Sequence, residues 1–427
     1  MNLSMTSKQS WLQNIPLHPL FFAVYPILAL LAFNVTELNF SSGLRSLFLS
    51  IIVTGVFFLI SRWIYHDSRQ GALVLSTVLI LFYSYGHIYN LLIGIDIAGL
   101  HPFQHRTLIP LWLVLAALVV WWVSRGPSKH ISTVTYGLNA IGLILLILGV
   151  FQLTSFFVQR KISDANAKDK STTLSLKPGN EPPDIYYIIL DGYGRSDVLK
   201  GYGYDNSSFL NTLRDFGFFV ADCAQSNYAH TKLSLASSLN FNYLDALGDR
   251  FVAGSNDRTG LHSLIHTSAI RKSLEKAGYK TIGFATGYPM TELTDADYYF
   301  APESSWGRLN EFESLLLETT LAGLLQPDSS MDMTTPELSR ERTLFVLEEL
   351  DKIPYIEGPK FVFVHLLVPH PPYVFGPTGG PIAPEQEGIT RAEQSAIYYR
   401  DQAMYISSRI MEIVQMIIAI PLYHLSS

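Results

Sequence analysis

The stretch that decides the fold is DIYYIILDGYGRSD, residues 184–197. Its apolar run, 184–190, predicts a buried strand, and Asp191 follows that strand at the start of a glycine-rich turn. In an open α/β sheet, ligands bind just beyond the carboxyl ends of the strands. The position of Asp191 is therefore that of a candidate metal ligand.

Two further segments bring polar side chains to the same kind of position. SNYAHTKLSLASSLN, 226–240, presents Thr231 at a predicted helix start, and FVFVHLLVPHPPY, 361–373, has His370 just beyond a second apolar strand. We expect both to converge with Asp191 at one edge of a sheet. His365 lies inside the second strand, where a histidine is more often a core residue than a ligand.

Strand and helix patterns alternate from residue 184 onward. This alternation predicts a doubly wound α/β domain whose mostly parallel sheet is covered by helices on both faces. Thr335, followed by Pro336 and Glu337, predicts a capped helix start. The predicted strands are 184–190, 218–224, 279–285 and 360–368, and the predicted helices are 206–216, 231–240, 263–277, 310–325, 336–351 and 390–418.

The N-terminal part of the chain is strongly apolar. Hydrophobic residues make up 48% of the sequence and charged residues 15%, against about 25% charged residues in an ordinary soluble domain. A membrane-spanning helix needs roughly 20 mostly apolar residues. We predict five transmembrane helices, near 16–34, 44–64, 71–94, 107–124 and 133–158. The first lacks the features of a cleaved signal peptide, so we expect it to be retained.

Basic residues beside the predicted spans set the predicted orientation, because cytoplasmic loops carry the lysine and arginine excess. One side carries Lys8, Arg62, Arg69, Arg125 and Lys129, and the short loops of the other side carry Arg45 and Arg106. We therefore predict a cytoplasmic N-terminus. An odd number of spans then delivers the residues after 158 to the outside.

Three regions follow along the chain: a transmembrane domain, 1–158, a polar linker, 159–183, and an extracytoplasmic domain, 184–427. The formal net charge is −6 and there is no long basic stretch, so nothing favours nucleic-acid binding. The single cysteine, Cys223, excludes an internal disulfide framework and a multi-cysteine zinc site. The lipid bilayer is the partner that the composition indicates.

Asp191 and Thr231 together suggest a reaction class. A threonine hydroxyl is a poor nucleophile unless a base or a metal activates it, and a divalent ion held by Asp191 would do so. A helix start at Thr231 adds a positive dipole end, which suits phosphoryl or sulfuryl transfer. The simpler alternatives are an Asp-Gly turn at Asp191, an N-cap at Thr231 and an ordinary loop residue at His370.

The segments quoted above resemble the sulfatase-like branch of the alkaline phosphatase superfamily, over roughly 184–415. Five spans and an outer domain are also similar in layout to lipoteichoic acid synthases and phosphoethanolamine transferases. The resemblance implies a lipid-linked or cell-surface phosphoester as substrate. Cys223 continues as Ala-Gln-Ser-Asn and so lacks the oxidised-cysteine signature of arylsulfatases, which disfavours that chemistry.

The resemblance also implies roles for individual residues. Asp191 matches a metal ligand, and Thr231 matches a nucleophile that contacts the metal and becomes transiently esterified. His370 and His365 match histidines that contact the transferred group or its acceptor. A divalent metal ion is implied as the cofactor, with zinc, manganese, magnesium and calcium not distinguished.

Family members continue after their last long helix with a core strand and an Asp-His-Gly motif that completes the metal site. This sequence has AIPLYHLSS at 419–427 instead. Because divalent ions usually take four to six donors, we expect a truncated domain with an incomplete metal site. A catalytically impaired, membrane-bound binding module is the alternative to an active enzyme. Transport is a third class, for which His87 inside a predicted span is the marker.

Overall fold

The computed structural model describes residues 15–35, 40–96, 102–170, 174–176, 182–248, 251, 260–303, 309–325 and 336–419. The chain divides into two units. The helical unit contains 1–158 and 309–333, and the sheet unit contains 159–308 and 334–427. Two sequence predictions, the Thr335 cap and the altered chain end at 420–427, lie outside the described residues.

Five apolar helices make up most of the helical unit. They are α1 His18–Phe33, α2 Leu44–Tyr65, α3 Ser68–Leu92, α4 His105–Arg125 and α5 Ser128–Lys170, and a 3-10 turn, Phe40–Gly43, precedes α2. Most apolar side chains of α2, α4 and α5 are exposed. Exposed apolar area of this extent is compatible with a lipid bilayer.

The described residues contain four helices, α2 to α5, that are long and apolar enough to cross a membrane. The prediction of five such spans is wrong at α1, which has only 16 residues. At 1.5 Å per residue, α1 is about 24 Å long, short of a hydrocarbon core of about 30 Å. α5 continues to Lys170, into the stretch predicted as a linker, because residues 159–170 are rich in helix-forming side chains.

A side chain of α5 caps the start of α1. Asn139 Oδ1 accepts hydrogen bonds from the backbone N–H groups of Leu17 and His18, at 2.9 and 2.8 Å. Its Nδ2 donates to the Ile15 carbonyl at 2.9 Å. Beside this cap the His18 ring meets the Ser76 hydroxyl of α3, with Nδ1 and Oγ 2.6 Å apart. The first turn of α1 therefore has its backbone donors satisfied within the bundle.

Later in the chain, short helices alternate with four strands. The strands are β1 Ile185–Leu190, β2 Lys280–Phe284, β3 Tyr298–Phe300 and β4 Lys360–Leu366. The helices are α6 Ser196–Gly201, α7 Ser207–Asp215, α8 Thr231–Ser238, α9 Leu244–Leu247, α10 Leu261–His266, α11 Ala269–Lys276, α12 Glu311–Glu318, α13 Pro336–Glu349 and α14 Arg391–Ala419. Two 3-10 helices, Leu321–Leu325 and Ile353–Tyr355, follow α12 and α13.

The helix α12 packs in the helical unit although sheet-unit sequence flanks it on both sides. Phe312 and Leu316 join a buried cluster with residues of α1 and α5. Glu313 pairs with Arg45 of α2 and completes a capping box with Asn310. At Gly86 of α3 an added Cβ would lie 2.5 Å from the Glu318 carbonyl oxygen, so only glycine permits this approach.

All strand pairs in the sheet are parallel, in the order β1-β4-β2-β3. Ile185 pairs with Phe361 and Leu190 with Leu366, so β1 and β4 end side by side. The prediction of a mostly parallel sheet is confirmed. Because the strands run in one direction, their carboxyl ends share one edge.

Two hydrophobic cores lie on opposite faces of the sheet. Val362 and Val364 of β4 pack in one core with α13 and α14, whereas Phe361 and Phe363 pack in the other with α8, α10 and α11. Each of these four side chains is at most 2% exposed, and burial of one contributes about 1.5–3 kcal/mol. His365 continues the Phe361 and Phe363 series, because successive side chains of a strand point to alternate faces.

Two predicted elements, 218–224 and 263–277, differ from the structure, and one strand was not predicted. Residues 218–224 are not a strand, since they form no ladder with any strand of the described residues and Phe219 is 92% exposed. β3 was not predicted because three residues carry too little pattern. The predicted helix 263–277 divides into α10 and α11 at Ser268, whose side chain caps α11 by accepting from the Arg271 N–H.

Candidate metal and nucleophile site

The backbone of Asp191 lies at the carboxyl edge of the sheet. Its N–H donates to the Leu366 carbonyl at 2.9 Å, and its carbonyl accepts from the His370 N–H at 2.9 Å. These bonds extend the β1-β4 ladder beyond both strands. The strand ends thus fix Asp191 and His370 next to each other.

The turn after Asp191 needs glycine at its first position. Gly192 has a φ of 76°, a left-handed conformation that side chains with a Cβ rarely adopt. The Tyr399 hydroxyl of α14 donates to the Gly192 carbonyl at 2.9 Å and accepts from the Gly194 N–H at 3.0 Å. Tyr399, which the sequence analysis did not identify, thereby holds the turn that carries the carboxylate.

Thr231 is the first residue of α8, and its hydroxyl faces Asp191. The N-cap position belongs to His230, which makes no side-chain cap bond. Thr231 Oγ1 instead donates to Asp191 Oδ1 at 3.1 Å. The alternative of a capping threonine is therefore wrong, and the hydroxyl lies at the start of a helix beside a carboxylate.

His365 presents its ring to the same carboxylate from the interior of β4. The residue is 2% exposed. Its Nδ1 lies 2.9 Å from the Thr291 hydroxyl oxygen, and its Nε2 lies 3.9 Å from Asp191 Oδ2. That second distance is too long for a hydrogen bond, and Nε2 has no hydrogen-bond partner among the described residues. A buried nitrogen without a hydrogen-bond partner is unusual in a folded protein, and the lone pair of such an imidazole nitrogen can bind a metal ion.

The environment of the Asp191 carboxyl keeps it ionised. Burial raises its pKa, but the His365 and His370 rings, when they carry a second proton, and the Thr231 hydroxyl outweigh burial and hold the pKa below its usual range. The side chain is 19% exposed. An ionised carboxylate that is still partly exposed is the form that binds a cation.

His370 is exposed and differs from His365 in its contacts. Its Nδ1 lies 2.6 Å from the Pro371 carbonyl oxygen, and its own carbonyl accepts from the Gln402 side chain of α14 at 3.2 Å. Since a carbonyl only accepts, Nδ1 carries the proton of this bond. The Nε2 atom of an exposed ring is then the position available for proton exchange.

Asp191, Thr231 and His365 form a donor set that fits a divalent cation. Ligand atoms about 2.0–2.2 Å from such an ion are roughly 3–4 Å from one another. The separations of 3.1 Å between Thr231 Oγ1 and Asp191 Oδ1, and of 3.9 Å between Asp191 Oδ2 and His365 Nε2, agree with this. No three His, Cys, Asp or Glu residues of the described ranges cluster as a metal site, and the third donor of this set is the threonine hydroxyl.

The loop after β2 contributes residues that the sequence analysis missed. Thr291 contacts His365, and Thr286 lies 3.2 Å from Thr291 between hydroxyl oxygens. The available signal was the segment ATGYPMTE, 285–292, which leaves a buried strand at the same sheet edge as Asp191.

Comparison with known proteins adds no family to this description. No family model matches the chain, no curated protein matches it, and no solved structure matches it. The chemistry of the donor set is thus the basis for assigning a function.

Proposed function

We propose that the chain is a membrane-anchored, metal-dependent, sulfatase-like hydrolase or transferase that acts on phosphoester or sulfate-ester groups of lipid-linked or cell-surface substrates. The observation that carries the proposal is the convergence of Asp191, Thr231 and the unpartnered Nε2 of His365 at the carboxyl edge of a parallel sheet. This is the edge at which such sheets bind ligands.

Thr231 is the proposed nucleophile. When bound, a divalent cation would lower the pKa of its hydroxyl and offset negative charge on the transferred group. Asp191 holds the hydroxyl in place through the 3.1 Å hydrogen bond. In the first half-reaction the Thr231 hydroxyl proton passes along this hydrogen bond to Asp191 Oδ1, a bond forms from Thr231 Oγ1 to the phosphorus or sulfur atom, and the bond from that atom to the leaving oxygen breaks.

His370 is the proposed acid and base. The leaving oxygen takes up a proton, and the exposed His370 ring is suited to deliver it from Nε2 because Nδ1 is held by the Pro371 carbonyl. In the second half-reaction Nε2 accepts a proton from water or from an acceptor hydroxyl, which attacks the esterified threonine. The bond from Thr231 Oγ1 to the phosphorus or sulfur atom breaks, and Asp191 returns the proton to Oγ1, which restores the hydroxyl.

Membrane attachment and orientation belong to the same proposal. The apolar helices α2 to α5 are compatible with a bilayer. Arg62, Arg69, Arg125 and Lys129 flank the short α2–α3 and α4–α5 loops, which favours a cytoplasmic position for these loops and an outer position for the sheet unit that follows α5. A cytoplasmic N-terminus would also require α1 to cross the membrane, because four spans return a chain to the side on which it began. A lipid-linked substrate would then reach the site from the outer leaflet.

The test uses the full chain in detergent, loaded with Mn²⁺ or Zn²⁺. Turnover of bis(p-nitrophenyl) phosphate and of p-nitrophenyl sulfate distinguishes the two ester classes. We expect Thr231→Ala to lower turnover on the order of 1,000-fold or more. Thr212→Ala is the matched control, since Thr212 is a half-buried helical threonine whose hydroxyl donates to the Ser208 carbonyl of its own helix.

Mass spectrometry of acid-quenched protein provides the second readout. A phosphoryl or sulfuryl group on the peptide containing Thr231 supports the proposal. Equal turnover by the wild type and Thr231→Ala contradicts it. Metal binding together with binding of a phosphoester, but with no turnover, favours the binding-module alternative.

A further inference from the structure

A small hydroxyl network lies behind His365, in the loop that follows β2. Thr291 Oγ1 donates to the Tyr288 carbonyl at 3.1 Å, and Thr286 Oγ1 does so at the same distance. The Tyr288 N–H donates to Thr286 Oγ1 at 2.9 Å. The two threonines are 1% and 6% exposed, so water does not compete for these contacts.

The direction of each hydrogen bond determines where the His365 proton lies. The Tyr288 carbonyl only accepts, so the Thr291 hydroxyl can donate its proton there. Thr291 Oγ1 then has lone pairs for His365, and Nδ1 donates across the 2.9 Å contact. With its proton on Nδ1, neutral His365 has a lone pair on Nε2.

The opposite arrangement leaves a buried donor without an acceptor. If Thr291 donated to Nδ1, the proton of His365 would lie on Nε2, whose nearest carboxylate oxygen is 3.9 Å away. A buried unsatisfied donor costs about 1–3 kcal/mol. A lone pair on Nε2 leaves no such donor, and the 3.9 Å gap suits two ligands of one cation.

We propose that Thr291 is a positioning residue, which fixes His365 so that Nε2 serves as a ligand of the divalent cation shared with Asp191. The inference rests on the proposed function, since it concerns a ligand of the same site. It also gives His365 a role other than contact with the transferred group. Histidine ligands commonly donate their second N–H to an outer partner, and that partner tunes metal affinity.

The experiment measures Mn²⁺ and Zn²⁺ affinity of the full chain in detergent by isothermal titration calorimetry. Thr291→Val keeps the size of the side chain and removes the hydroxyl. We expect it to weaken metal binding about 10- to 100-fold. Thr291→Ser retains the hydroxyl and should stay within about threefold of the wild type, because the bond to His365 is kept.

Thr343→Val provides a matched control. Thr343 is 4% exposed, and its hydroxyl donates to the Ser339 carbonyl within α13. This variant should bind metal like the wild type. Thermal unfolding of each metal-free protein shows whether the variants are folded. If Thr291→Val does not fold, metal affinity is measured on Thr291→Ser instead.

The outcomes separate the inference from the function on which it rests. Wild-type affinity in Thr291→Val, or a loss in Thr291→Ser as large as the loss in Thr291→Val, overturns the role of the hydroxyl and leaves the proposed function standing. A wild-type chain that binds neither ion overturns both.

Discussion

Each unit of the molecule contains a buried histidine with nearly the same immediate contacts. His18 in the helical unit and His365 in the sheet unit both place Nδ1 against a hydroxyl, that of Ser76 at 2.6 Å and that of Thr291 at 2.9 Å. Both have a buried Nε2 without a hydrogen-bond partner among the described residues. The two rings differ in what lies beyond Nε2.

At His365 the Asp191 carboxylate lies 3.9 Å from Nε2, whereas His18 is joined to the Ser76 hydroxyl and, through its backbone, to the Asn139 amide. We therefore propose a metal site at His365 and not at His18. The carboxylate at the end of a strand makes the difference, because it supplies the charge that a divalent cation needs. At His18 the polar groups instead satisfy the start of a helix.

The largest expected effect comes from removing that charge. Asp191→Asn keeps the shape of the side chain and should lower Mn²⁺ or Zn²⁺ affinity by more than about 100-fold, beyond the loss typical of an outer partner. His365 would then resemble His18. Calorimetric titration of the full chain measures the effect, and Asp245→Asn, on the short helix α9 of the sheet unit, is the control. Unchanged affinity in Asp191→Asn would remove the distinction between the two histidines.

Replacing the two histidines in parallel tests the comparison directly. His365→Gln should weaken metal binding about 100-fold, because it removes a ligand nitrogen. His18→Gln should leave metal affinity within about twofold, since no carboxylate contact is lost. Equal losses in the two variants would mean that the measured binding does not occur at Asp191.

Replacing Asn139 should lower stability and leave metal affinity unchanged. Asn139→Ala leaves the N–H groups of Leu17 and His18 without their acceptor and should destabilise the chain by about 1–2 kcal/mol. Metal affinity should not change. Thermal unfolding in detergent measures the loss, with Asn211→Ala on the exposed face of α7 as the control. A drop in metal affinity without a drop in stability would contradict the structural role of Asn139.

The smallest expected effect is at Ser76. Ser76→Ala removes the hydroxyl that meets His18 and should cost about 1 kcal/mol or less of stability. It should have no effect on metal affinity, unlike the corresponding change at Thr291. The same calorimetric and unfolding measurements compare the two variants side by side. A loss of metal affinity in Ser76→Ala would show that a hydroxyl contact to a buried histidine affects metal binding in both units.

Local patterns were sufficient to predict that Asp191 follows a strand and that Thr231 lies at a helix start. Asp191 comes immediately after β1, and Thr231 is the first residue of α8, directly after the N-cap residue His230. Thr291 was not predictable, since it lies seven residues beyond β2 and acts only through the folded loop that turns it toward His365. Hydropathy likewise identified α1 as apolar but not that it ends after 16 residues.

Long-range packing explains the remaining differences. The residue pattern of 218–224 predicted a strand, but a strand forms only where a neighbouring strand can pair with it. Residues 310–325 were predicted as a helix of the outer domain, and nothing local shows that Phe312 and Leu316 pack against α1 and α5. Such preferences depend on tertiary contacts, which sequence periodicity does not encode.

The placement of α12 has a practical consequence for anyone dissecting this protein. The polypeptide passes between the two units three times, after residues 158, 308 and 333. A fragment beginning at residue 184 would carry Phe312, which is 0% exposed in the intact chain, away from the helices that cover it. Secreted versions of the sheet unit should accordingly replace 309–333 with a short polar connector. Otherwise they will expose an apolar helix that promotes aggregation.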